Sequence, residues 1–155
     1  MEKVKKMKKS PGLAWLLCAL WMGVIFAMSA MPGDVSGDQS GKLTAMILFV
    51  LRMLPGSLEK AIAPQTLEFL LRKGAHMAEY AVLFLFYRRA LRLSGAKHPG
   101  LYALMLSASY AATDEFHQSF VDGRGPGAMD VMIDTVGAAI AWAGLGLYER
   151  IKSLK

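Results

Sequence analysis

From residue 13 to residue 31 the chain runs nineteen positions without a charge, LAWLLCALWMGVIFAMSAM. An α-helix needs about 20 apolar residues to cross a bilayer, so this stretch is predicted to span one. Three more helical segments read at about 67–91, 100–121 and 128–148, all rich in Ala, Leu, Met and aromatic residues. Their uncharged stretches are shorter, and 100–113 and 135–148 hold fourteen residues each. Length alone would equally suit buried helices of a soluble bundle. Between the first two spans, PGDVSGDQSG reads as a turn-rich loop of Gly, Ser and Asp. KLTAMILFVLRMLPG then carries ten apolar residues before its closing Pro-Gly, too few to span. It is predicted to be a short helix lying in the interface or re-entering the bundle. Pro64 suits the first turn of the helix that becomes the second span.

Composition favours the membrane class, and the charge distribution then decides between the two. Of 155 residues, 54% are hydrophobic and only 19% charged, too apolar for most soluble domains. The expected fold is an all-α integral membrane protein, one domain over 1–155, with four transmembrane helices and a short interfacial or re-entrant helix between the first and second. A basic start before an apolar run also fits a secretory signal, with Ala27-Met28-Ser29 as a small-x-small site. The run exceeds the usual h-region of about 7 to 15 residues, and later apolar segments still need a membrane. Cys18, the single cysteine, reads as an apolar lipid- or helix-facing residue.

Charge orients the spans. With both termini in the cytoplasm, the cytoplasmic pieces are the N-terminal tail, RRALRLSGAKHPG and ERIKSLK, carrying five, four and three Lys or Arg of the eighteen. Five of the remaining six lie in 32–73 and the last is Arg124. This positive-inside pattern accounts for the pI near 9.6 without nucleic acid, for which basic and aromatic residues would have to interleave.

The alternating spans then bring their polar residues to one end, the outer one. His76, Glu79 and Tyr80 share a face at i, i+3 and i+4, with Lys73 one turn before. Asp114, His117 and Gln118 do the same on the third span, with Glu115 about 100° round. Asp130 and Asp134 stack at the start of the fourth, and Arg124 lies in the loop VDGRGPGA before it. Charged residues at membrane depth cost about 2.5 to 3.5 kcal/mol each on insertion scales and normally face the bundle interior or a wet cavity. The arrangement reads as a site, although the same groups can also act as polar glue between helices.

The ordered combination of SAMPGDVSGDQSG, KGAHMAEYAVL, DEFHQSFVDGR and DVMIDTVGA resembles the VanZ-like membrane proteins, a family named for a protein associated with teicoplanin resistance. Ala30-Met31 stands where the family often has Ser-Gln, and Gly125-Pro126-Gly127 makes the later loop unusually glycine-rich. The resemblance implies a protein of the bacterial cytoplasmic membrane whose cluster is His76, Glu79, Tyr80, Asp114, Glu115, Gln118, Arg124, Asp130 and Asp134. It implies no settled reaction.

Two functions follow from the residue chemistry. In the first, His76, Glu79, Asp114, Glu115, Asp130 and Asp134 form an acid–base site acting on a membrane lipid or lipid-linked glycan, and Lys73, Tyr80, Gln118 and Arg124 bind the substrate. In the second, the same surface recognises a lipid headgroup or a glycopeptide without making or breaking a bond. His76, Glu79, Asp114 and Asp130 or Asp134 offer a mixed donor set for a divalent ion, but there is no HExxH or similar signature. No cofactor and no metal are therefore expected, and Arg124 is expected to bridge the clustered carboxylates.

Overall fold

The computed structural model describes residues 10–53, 62–125 and 127–154. The described residues form five helices and no strand: α1 (Pro11–Ser29), α2 (Gly33–Arg52), α3 (Pro64–Leu93), α4 (Pro99–Gln118) and α5 (Ala128–Ser153). The basic tail over 1–9, Pro55 and Pro126 lie outside the described residues. Proline opens α1, α3 and α4, where its missing N–H would have had no intrahelical partner. That includes Pro64, where the sequence placed the start of the helix.

α3 is the hub and packs against each of the other four helices. α5 comes closest at Gly137, where an added Cβ would lie 2.2 Å from the Met77 carbonyl oxygen of α3. Gly137 and Ala138 are buried at this contact, whereas Gly144 on the same helix is exposed with open space around it. α1 is held by its inward stripe of Ala14, Cys18, Ile25 and Ser29, so Cys18 faces a helix. Trp21 Nε1 also donates to the Glu79 carbonyl of α3 at 2.9 Å, and Tyr110 Oη of α4 to the Met22 carbonyl at 2.7 Å.

The second helix is longer than its sequence predicts. PGDVSGDQSG is no loop: α2 starts at Gly33 and runs 20 residues. Its weak helix formers are offset locally. The Gly33 N–H donates to the Asp122 carbonyl at 3.0 Å, Asp34 sits in the first turn, and Asp38 pairs with Lys42 at i, i+4. The Thr44 hydroxyl bonds back to the Ser40 carbonyl one turn earlier, and the Ser40 hydroxyl, with one hydrogen to give, lies within bonding distance of the Ser36 carbonyl and, at 3.0 Å, of Glu68 of α3. Gly33 is required here, since a Cβ would fall 2.0 Å from the Gly123 carbonyl oxygen. Gly123 itself has φ +70°, a turn conformation that favours glycine.

Beside an apolar core that includes Ile25, Leu83 and Phe84, several polar residues are buried while many large apolar ones face outward. Leu16, Leu20, Phe26, Phe49, Met105 and Ile140 are exposed, whereas Asp114, Glu115, Gln118 and Asp134 are buried. Two helices, α1 and α5, are long and apolar enough to cross a membrane. At about 1.5 Å per residue, α3 with 30 residues and α4 with 20 also have the length, but their polar residues lower their hydropathy.

Candidate functional site

The polar residues fall into a buried layer and a cavity above it. In the buried layer, Asp114 Oδ2 accepts from Ser29 Oγ at 2.7 Å and from Gln118 Nε2 at 3.1 Å. Asp134 is 1% exposed and Tyr80 fully enclosed. Four oxygens here, Tyr80 Oη, Ser107 Oγ, Asp114 Oδ1 and Asp134 Oδ2, have no protein hydrogen-bond partner. An unpaired buried polar group costs about 1 to 3 kcal/mol, so this layer is expensive to keep.

The cavity has a volume of about 140 Å³, and Lys73, His76, Glu115, Gln118, Arg124 and Asp130 contribute to its wall. Two of these acids have partners. Glu115 Oε2 accepts from the Gly127 N–H at 3.1 Å, placing a carboxylate at the positive end of α5. Asp130 pairs with Lys73, joining α3 to α5. His76 Nδ1 lies 3.7 Å from Glu79 Oε2, one turn along α3.

Beside the cavity is a second opening of about 230 Å³. α1 and α2 both pack on α3 but not on one another, which leaves a cleft between them. Leu71, Ala75 and Glu79 of α3, Met28 of α1 and Leu43 of α2 line it. His76 and Arg124 border both spaces, and Glu79 only the cleft.

Arg124 does not do what its sequence context suggested. Its Nε donates to the Met31 carbonyl at 3.0 Å and its Nη2 to the Met28 carbonyl at 3.2 Å, so the cation closes the C-terminal end of α1. Among the described residues no carboxylate lies within ion-pairing distance of it. Burial lowers its pKa most and nearby Arg72 adds to this, while Asp114, Glu115 and Glu79 pull the other way. An arginine so placed keeps its charge.

The ten residues singled out from sequence thus separate. Lys73, His76, Glu115, Gln118, Arg124 and Asp130 meet at the cavity and Glu79 at the cleft. Tyr80, Asp114 and Asp134 lie in the buried layer and line neither space. His117, grouped with Asp114 and Gln118 by spacing, instead stacks on Phe26 of α1 with ring centroids 4.3 Å apart. Ser29 was missed, and Arg72, which the sequence places in the same outer turns as Lys73 and His76, was given no role. Ser29 ends the small-residue stripe of α1, a signal that was available, and Arg72 sits one turn before His76. Among the described residues no group of three or more His, Cys, Asp or Glu is arranged to hold a metal ion.

Exposed apolar side chains, a group of buried polar residues beside an apolar core and two helices long and apolar enough to cross a membrane fit a helical-bundle membrane protein with a polar cavity at one end. The chain belongs to the VanZ/LLP1 family, whose model matches residues 14–149. No curated protein and no solved structure matches it.

Proposed function

We propose that this envelope protein is an enzyme acting by acid–base chemistry on a membrane lipid or lipid-linked glycan, from the outer face of the cytoplasmic membrane. One observation carries the reading: His76 and Glu79, a possible proton-transfer pair, stand where a polar cavity meets a cleft with apolar walls. Among the acids, Asp114 is engaged by Ser29 and Gln118, Glu115 by the start of α5 and Asp130 by Lys73. Among the described residues Glu79 accepts no hydrogen bond at its carboxylate, and unlike Asp134 it borders the cleft, which makes it the best candidate acid, with His76 as base. Glu79 would protonate the leaving oxygen while His76 takes the proton of the attacking hydroxyl or water.

Four spans, α1, α3, α4 and α5, would place the cavity outside and both termini in the cytoplasm. Support comes from the far end of the bundle. Trp15 Nε1 donates to Ser94 Oγ at 3.1 Å, and Arg88 reaches Glu149 at 2.9 Å, so the start of α1 and the ends of α3 and α5 share one end. Arg88, Arg89, Arg92, Arg150 and Lys152 gather there, away from the cavity. A phosphatase reporter active only outside the cytoplasm is expected to work when fused after Gly123 and to be silent after Gly95. The reverse pattern would turn the cavity to the cytoplasm.

Turnover tests the chemistry. Purified protein incubated with envelope lipid extracts should generate a product visible by mass spectrometry. With no product, the alternative stands: a protein that binds a lipid headgroup or a glycopeptide such as teicoplanin without chemistry.

A further inference from the structure

Arg72 borders both the cavity and the cleft, together with Arg124, His76 and Ser36. Among the described residues it has no hydrogen bond and no ion pair. Its neighbour in sequence is different, because Lys73 is neutralised by Asp130 and lies 5.7 Å from the Phe69 ring centroid. Arg124 uses Nε and one Nη2 hydrogen on the carbonyls of Met31 and Met28 at the end of α1, which leaves the rest of its five-donor fork unspent. Two guanidiniums without carboxylate partners therefore face one space. Each repels the other, and Arg72 is among the groups that lower the Arg124 pKa. A shared anion would relieve that repulsion, and paired arginines match the oxygens of a phosphate.

The space next to them is not shaped for a free ion. Leu43, Leu71, Ala75 and Met28 continue the cleft away from the arginines, between two helices that do not close on each other. Ser36, Gln39 and Ser40 add hydroxyl and amide groups along the α2 wall.

We propose that Arg72 and Arg124 together bind the phosphate of an anionic amphiphile whose hydrocarbon chain lies in the cleft between α1 and α2. This deepens the preceding reading of the site and rests on it for location, but not on any turnover. The phosphate sits beside His76 and Glu79, so the bonds next to it are the ones presented to the acid–base pair. α2, which packs on α3 but on no other helix, forms one wall of the lipid's path into the site.

The test is a binding titration of purified protein in phosphatidylcholine nanodiscs, with decyl phosphate, decyl maltoside and inorganic phosphate as probes. Decyl phosphate should bind at least about tenfold more tightly than decyl maltoside, as charge-assisted hydrogen bonds to phosphate would give. Arg72→Gln should remove that preference. Arg72→Lys, which keeps the charge but not the fork, should weaken it by less and covers the case in which Arg72→Gln fails to fold. Ala75→Phe, which fills the cleft, should weaken decyl phosphate and leave inorganic phosphate unchanged. Equal binding of the two decyl probes would overturn the arginine assignment. Inorganic phosphate binding as well as decyl phosphate, unaffected by Ala75→Phe, would overturn the chain's place in the cleft and make the ligand a free anion. Turnover is scored separately. Tight decyl phosphate binding without any product sinks the enzyme reading alone, and product formed from a neutral lipid without decyl phosphate binding sinks this inference alone.

Discussion

Gly137→Leu is expected to destabilise the bundle by at least about 3 kcal/mol, the upper end of overpacking penalties. The reason is backbone against backbone. A Cβ on residue 137 would lie 2.2 Å from the Met77 carbonyl oxygen and 2.7 Å from Met77 Cα, and no side-chain rotation relieves either contact. α3 and α5 would have to separate, which would pull Asp130 from Lys73 and open the layer around Asp134. The control is Gly144→Ala, on the same helix with nothing within 4 Å of the added Cβ. It should leave stability unchanged or raise it by up to about 1 kcal/mol, because Gly is less favourable than Ala inside a helix. Thermal midpoints in one lipid environment separate the two. Similar midpoints would mean that α3 and α5 are not packed as described.

Glu79→Gln should have the largest effect on chemistry, a fall in turnover of about 100-fold to 10,000-fold, the range for a general acid or base. The amide keeps the size of the side chain but cannot release a proton. The cost in stability should be small. The hydrogen bond that ties this residue to α1 runs from Trp21 to the backbone carbonyl, which the substitution leaves in place. His76→Gln should mimic the loss, while His98→Gln, in the turn before α4, should not. A Glu79→Gln protein that turns over normally would move the acid role to another residue.

Much of this was readable from spacing. Helix positions for α1, α3, α4 and α5 followed from apolar runs and from prolines at first turns, and the structure shifts their ends by only a few residues. α2 was misread because Gly, Ser and Asp signal turns in isolation. In the fold, hydroxyls bonded back to earlier carbonyls and packing on α3 override that preference. On α4 the inward face was placed slightly off. Asp114, Glu115 and Gln118 are buried and His117 turns to α1, in line with the buried small residues Ala103, Ser107 and Ala111 below them. That stripe carried the information. Arg124 could not be assigned from sequence, since its partners are backbone carbonyls 93 and 96 residues away. Nor could the cleft, which exists because α1 and α2, neighbours in sequence, both pack on α3 and not on each other.

The central claim is that the buried acids are kept for function and not to hold the helices together. Asp134 tests it best, because it is 1% exposed and one of its oxygens has no protein partner. A buried carboxyl in that position costs stability, whereas a member of a structural network would supply it. The decisive measurement is the thermal midpoint of Asp134→Asn beside its turnover of envelope lipid. The account expects a midpoint equal to or above that of the unchanged protein, with turnover reduced because the layer beneath Glu79 and His76 is altered, although Asp134 itself lines neither space. A midpoint that falls by several degrees, with turnover of the remaining folded protein intact, would contradict it and make Asp134 part of the scaffold.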